Sequence, residues 1–150
     1  MHALFRSISR FRRDQRGNIA VIFTIAILPI MAAVGCAIDY SRVSRAFSVM
    51  QAALDSTALM VSKDLSQGVI TTSNVNTAAQ AYFSALYTDS EVQSVTISAT
   101  YTATNGSLGS TIQVKGSGSV KTDFLQVVGF PNMNFSASST SASGPATSSS

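Results

Sequence analysis

Between Ile19 and Ile38 the chain runs for twenty positions without a charged residue. A helix of that length rises about 30 Å, the thickness of the hydrocarbon core of a bilayer. Before the run stand Arg6, Arg10, Arg12, Arg13 and Arg16; directly after it comes Asp39. A short arginine-rich flank beside an apolar span stays on the cytoplasmic side, so the N-terminus faces in and the C-terminus out. Arg42 and Arg45 oppose that orientation but are outnumbered. The topology and assembly residues expected from this pattern are Arg10, Arg12, Arg13, Arg16, Gly17, Asp39, Tyr40 and Arg42. Tyr40 suits the headgroup region, and Asp39 with Arg42, three positions on, can pair at the bilayer edge.

The net charge of +3 hides two different regions. Residues 1–16 carry five Arg and one Asp, a charge of +4, whereas the other 134 residues carry five basic and six acidic groups, a charge of −1. The basicity is a tail and not a nucleic-acid surface. Cys36 is the single cysteine and His2 the single histidine, so the chain cannot build a zinc cluster, an internal disulfide or a Ser-His-Asp or Cys-His site. The carboxylates fall into no spaced catalytic pair. No catalytic, cofactor-binding or metal residue is expected, and no small-molecule substrate.

Two other readings of the apolar run carry less weight. A cleaved secretory signal has an apolar core of roughly 7–15 residues, shorter than this one. Ala33-Val34-Gly35-Cys36 resembles a lipoprotein cleavage box, but Ala33 stands where leucine is usual, and the apolar run continues through Ala37 and Ile38. A retained anchor fits best. Pro29 lies mid-span, a place where membrane helices tolerate proline and its kink.

Beyond Ile38 the helical pattern continues. Val43, Phe47, Met50, Leu54, Thr57, Val61 and Leu65 recur at steps of three and four, the mark of one buried helical stripe. Ser66-Gln67-Gly68 ends it. A second helix is expected over Val75–Leu86, with Val75, Ala78, Ala79, Tyr82, Phe83 and Leu86 on one face and Ser73 or Asn74 as its cap. Val95, Ile97, Ala99, Tyr101 and Ala103 then alternate with Thr and Ser as in a half-buried strand. Asn105-Gly106 signals a tight turn. Ile112, Val114 and Val120 continue the alternation, and Gly116 and Gly118 mark a bulge or a close approach. Thr122 is placed to cap a short helix through Val128, closed by Gly129; Met133, Phe135 and Ala137 give a last short strand. The end of the chain, rich in Ser, Thr and Ala, reads as a flexible tail.

The expected fold is therefore a single-pass membrane protein of α+β class: a long N-terminal helix, its inner half transmembrane, and a small exported domain with a second helix and a short antiparallel sheet. The expected divisions are a basic tail 1–16, a transmembrane helix 17–38, an exported domain 39–142 and a Ser-rich tail 143–150. The exported part is light on large apolar residues, so lateral association, including with copies of itself, is an open route to stability.

Arg12-Arg13-Asp14-Gln15-Arg16-Gly17-Asn18-Ile19-Ala20-Val21-Ile22-Phe23, together with Asp39-Tyr40-Ser41-Arg42 and Gln51-Ala52-Ala53-Leu54-Asp55, resembles the TadE/TadG-like proteins of the bacterial tight-adherence (Flp) pilus system. The likeness is closest over residues 10–60. Thr122-Asp123-Phe124-Leu125 with Gly129 resembles the exported part of the TadG-like branch. The resemblance implies a pilin-like exported domain and a structural or assembly role in the inner membrane, with the bilayer and other pilus-assembly proteins as partners and the C-terminal domain periplasmic or extracellular. The alternative is an anchored envelope binding module or lipoprotein unrelated to pili. Processed proteins of the system are cut after a Gly and carry Glu at the fifth mature position; Gly17 is present, but the fifth position is Ile22. That departure favours the unprocessed TadG-like branch. The metal-site pattern of the von Willebrand A domain found in longer members is missing from Asp39-Tyr40-Ser41-Arg42-Val43 and from Asp55-Ser56-Thr57.

Overall fold

The computed structural model describes residues 15–103 and 109–143, with side chains over 19–103 and 109–142. In chain order it contains α1 (Gln15–Ser66), a 3-10 turn (Thr72–Asn74), α2 (Val75–Leu86), β1 (Val92–Thr102), β2 (Ser110–Lys121), a second 3-10 turn (Leu125–Val128) and β3 (Asn132–Ser143). This is the α+β order expected from the sequence. The chain divides into two compact units, Met1–Ile38 and Asp39–Ser150.

In the first unit α1 runs through Pro29 without interruption. Its large apolar side chains are uncovered: Ile19, Phe23, Ile25 and Leu28 are each about two-thirds exposed. Among the described residues this is one helix long and apolar enough to cross a membrane. Hydrocarbon is the solvent that makes such a surface stable.

The second unit folds around the other half of α1. Met50, Leu54, Thr57 and Val61 are fully buried and Val43 nearly so, the stripe read from three-and-four spacing. Ala46, Ala53 and Ala58 widen it. Phe47 sits at the margin, 40% exposed, with its ring edge-on to Phe135 at 6.5 Å. Gly68, at φ +73°, ends the helix: the N–H of Val69 donates to the carbonyl of Asp64 at 2.9 Å, capping the last turn. Helix α2 buries Val75, Ala79 and Phe83 against this core. Asn74 occupies its N-cap position but makes no side-chain cap bond, nor does Ser73, whose hydroxyl pairs with Thr71; the 3-10 turn leads the chain into the helix instead.

The three strands form an antiparallel sheet in the order β1-β2-β3. β2 and β3 pair in unbroken register from Ser110↔Ser143 to Lys121↔Asn132. β2 is the central strand and buries Ile112, Val114 and Val120. Gly116 and Gly118 lie between them for reasons of space: a Cβ on Gly116 meets Ile97 at 3.0 Å and Leu54 at 3.2 Å, and one on Gly118 meets Val92 at 2.5 Å. Of the two readings open for these glycines, close approach is the correct one. The bulge is in β1, where the register shifts between Gln93 and Thr96 and Ser94 takes φ +54°. The extra residue switches the inward parity from Val92 to Ile97, Ala99 and Tyr101, and it leaves Val95 39% exposed.

Two strand-level expectations need correction. The last strand is not short: Ser138 to Ser143, read as the approach to a tail, pair with β2 along their whole length. Thr122 does not cap a local helix with its side chain. Its hydroxyl donates to the carbonyl of Phe130, and its N–H donates to the carbonyl of Pro131 at 3.0 Å, which closes the base of a loop. The Asn105-Gly106 turn and residues 144–150 of the expected tail lie outside the described residues.

Candidate functional site

The polar centre of the second unit is built where α1 leaves the apolar run. Asp39 and Arg42 stand one turn apart on α1, and both side chains engage the loops at one end of the sheet. Strand β2 ends at Lys121, and Thr122 pins the loop that follows. The loop winds into the 3-10 turn Leu125–Val128, which Gly129 closes at φ +99°. The first N–H groups of such a turn have no partner within it. Here the carboxylate of Asp39 supplies one: it accepts hydrogen bonds from the N–H of Asp123 at 3.0 Å, of Phe124 at 2.8 Å and of Leu125 at 2.7 Å.

Asp39 is 1% exposed. Burial alone pushes its carboxyl pKa up, but the three backbone N–H groups and the positive charge of Arg42 outweigh that effect and hold it below the ordinary carboxylate value. Arg42 does not bond to Asp39. Its Nη1 meets the carboxylate of Asp123 at 2.6 Å and its Nε that of Glu91 at 3.4 Å, so one guanidinium joins α1 to the chain before β1 and the chain after β2. Glu91 is itself held by an N–H bond to the carboxylate of Asp89 at 2.9 Å. The local Asp39–Arg42 pair expected from three-residue spacing is replaced by two longer-range contacts. Each group finds better-placed partners across the fold than its neighbour on the helix.

The other sequence-singled residues are placed as follows. Tyr40 is 67% exposed, free to meet a headgroup region. Arg16 and Gly17 lie in the first turn of α1, in the stretch described by backbone alone. Arg10, Arg12 and Arg13 lie outside the described residues. Sequence reasoning missed Asp123 and Glu91 as partners of Arg42 and Thr122 as the clasp of the loop. The available signal was the Thr122-Asp123 pair ahead of an apolar stretch closed by Gly129, which reads equally well as a local cap.

No group of three or more His, Cys, Asp or Glu side chains is arranged to hold a metal among the described residues. A cleft of about 590 Å³ lies between α2 and β1, lined by Phe83, Tyr87, Asp89 and Ile97 among others. Its single acid, Asp89, has no basic residue beside it in the lining. Burial, with the charge of Asp89 nearby, pushes the Tyr87 hydroxyl up to about 12, so it stays neutral at ordinary pH. The arrangement around Asp39 is thus a structural tie: it fixes loops to a helix and presents no reacting group.

The helix that carries this tie is also the part of the chain with known likeness. Residues 17–67 match the Tad family model, described as putative Flp pilus-assembly TadE/G-like. This segment is similar to TadE/G-like proteins. The match takes in the apolar run, Asp39, Arg42 and the whole buried stripe as far as the end of α1. The description links this third of the chain to proteins of Flp pilus assembly. No curated protein and no solved structure matches the chain. Within the TadE/G-like segment the inner half is exposed and apolar and the outer half is the spine of a folded unit, so a single helix carries both properties.

Proposed function

We propose that the protein is a membrane-anchored structural component of Flp-type pilus assembly, held in the cytoplasmic membrane by residues 17–38, with its N-terminus in the cytoplasm and its 39–142 domain outside. The observation that carries this reading is the coincidence of three features on one helix: the TadE/G-like match, the uncovered apolar run and the buried stripe that begins just after it. A helix built this way can fasten an exported domain to the membrane. The arginines at positions 10, 12, 13 and 16 orient it. The role is mechanical, one of anchoring or stabilising a pilus or its assembly platform, and not catalytic. Its partners are the bilayer and other pilus-assembly proteins, with self-association open to direct cross-linking.

Ile22 in place of a carboxylate favours a protein that keeps its N-terminus. A deletion strain tests the role. Loss of surface pili and of adherence, restored by the full-length gene and not by one encoding residues 39–150 behind a cleavable signal, is the expected result. Normal piliation in the deletion strain contradicts it. N-terminal sequencing of the membrane-bound protein that begins at Asn18 contradicts the unprocessed reading alone.

A further inference from the structure

Within the Asp39–Ser150 unit, large exposed apolar side chains gather in one loop. Phe124, Val127, Val128 and Phe130 are 45%, 83%, 64% and 63% exposed, and no charged residue lies between Asp123 and the end of β3. Their exposure is built in and does not come from fraying. The N–H of Val127 donates to the carbonyl of Phe124, that of Gly129 to Gln126 and that of Phe130 to Leu125, while Thr122 clasps the base. A small, internally bonded loop that holds four large apolar groups outward marks a contact surface.

The place of the loop identifies what it contacts. Its first three N–H groups are bonded to the carboxylate of Asp39, and Asp39 is joined directly to Ile38, the last residue of the apolar run. If the run ends at the edge of the hydrocarbon, the base of the loop lies at that edge. We propose that Phe124–Phe130 is a second membrane contact: a shallow apolar wedge that enters the headgroup and upper acyl region of the bilayer crossed by α1. This rests on the reading of residues 17–38 as a membrane span.

Lipid is the favoured occupant because the tether to Asp39 supplies it at any protein concentration. Wedges of this type bury their apolar groups about 5–10 Å into the interface. The exposed Tyr40 ring belongs to the same zone. Arg42 is already paired with Asp123 and Glu91; Lys121 and Arg45 stand in no ion pair among the described residues, but the four exposed apolar side chains, and not these cations, carry the contact. The wedge, the Asp39 bonds and the Arg42 bridge together give the exported unit a second point of attachment, which restricts its rotation about the helix axis.

The test uses the full chain with Cys36→Ser, reconstituted in vesicles of zwitterionic lipid with and without anionic lipid. Single cysteines at Val127→Cys, Val128→Cys, Ile30→Cys and Thr96→Cys carry an environment-sensitive fluorophore. Nitroxides placed at shallow or deep positions of the acyl chain report depth. The expected result is deep quenching at position 30, several-fold more shallow quenching at positions 127 and 128 than at position 96, and no change with anionic lipid. Quenching at position 30 with positions 127 and 128 indistinguishable from position 96 overturns the wedge and leaves the span standing. No quenching at position 30 overturns the span and the wedge with it. Labels at 127 and 128 that are shielded but unquenched, with shielding that grows with protein density, assign the loop to a second copy of the chain and also overturn the proposal.

Discussion

The two halves of α1 are continuous in backbone and opposite in what their apolar side chains meet. From Ile19 to Ile38 large aliphatic groups point in every direction and none is covered; from Asp39 to Ser66 the main stripe is buried in the core, and Val49, Leu59 and Met60 stand exposed outside it. The halves differ in apolar content and in pattern: 17 of the 20 residues from 19 to 38 are apolar and none is charged, against 14 apolar and six charged among the 28 from 39 to 66. An all-round apolar helix asks for an apolar solvent, whereas a striped one asks for a folded partner. Asp39 stands at the change and is also the residue that ties down the loop after β2, so the boundary between the two patterns is the point at which the loop is fastened to the helix.

Substitutions in the two halves should separate accordingly. Leu54→Ala, fully buried beside Gly116, should lower the stability of the folded unit by about 2–5 kcal/mol. Leu28→Ala, 67% exposed, should leave the same unfolding curve unchanged. Equal losses from both, measured by denaturant unfolding in detergent or nanodiscs, break the comparison. In the other direction, Leu28→Arg should cost about 3 kcal/mol in membrane insertion, read as a shift from the membrane to the soluble fraction. The near-ultraviolet signal of the folded unit should remain.

Gly118→Ala probes how tightly the sheet is packed. Its Cβ falls 2.5 Å from Val92, and the expected loss is about 1–3 kcal/mol. A neutral effect would show that β1 can give way at its bulge.

Asp39 gives a smaller effect with a pH signature. Its folded pKa lies below the ordinary carboxylate value of 3.8, so its contribution to stability is fully present above that value and is lost as pH falls through the lowered folded pKa. Asp39→Asn should lower Tm by roughly 5 °C at neutral pH. The gap between the wild-type and variant melting curves should close as the pH drops below 3.8. A gap that stays constant with pH places the effect of Asp39 elsewhere than in its charge. Arg42→Gln should be the mildest change, on the order of 1–2 °C, because its partners are more than half exposed and solvent screens the pairs.

Helices were the most legible part of the chain. The stripe from Val43 to Leu65 and the face from Val75 to Phe83 repeat at helical spacing, and Gly68 ends the first at the position where a left-handed residue is needed. The succession of strands along the chain was readable from alternation. The bulge at Ser94 was not, because it depends on how β1 fits over Gly116 and Gly118 on the neighbouring strand. The reach of β3 was hidden by composition: Ser, Ala and Thr from 138 to 143 look like a tail until β2 supplies the hydrogen bonds. The tie at Asp39 was hidden by distance in sequence. Asp39 accepts from residues more than eighty positions away, and no local period records such a partner.

The central claim is that one helix holds the protein in the membrane by residues 17–38 and carries the folded unit outside. Protease treatment of spheroplasts, with the protein followed through an alkaline carbonate wash, tests it most directly. The account predicts that the full-length chain resists the wash, that external protease removes the region beyond Asp39, and that a short N-terminal fragment remains in the membrane. A shortened chain released in soluble form, or a full-length chain untouched by external protease and cleaved only after lysis, contradicts it.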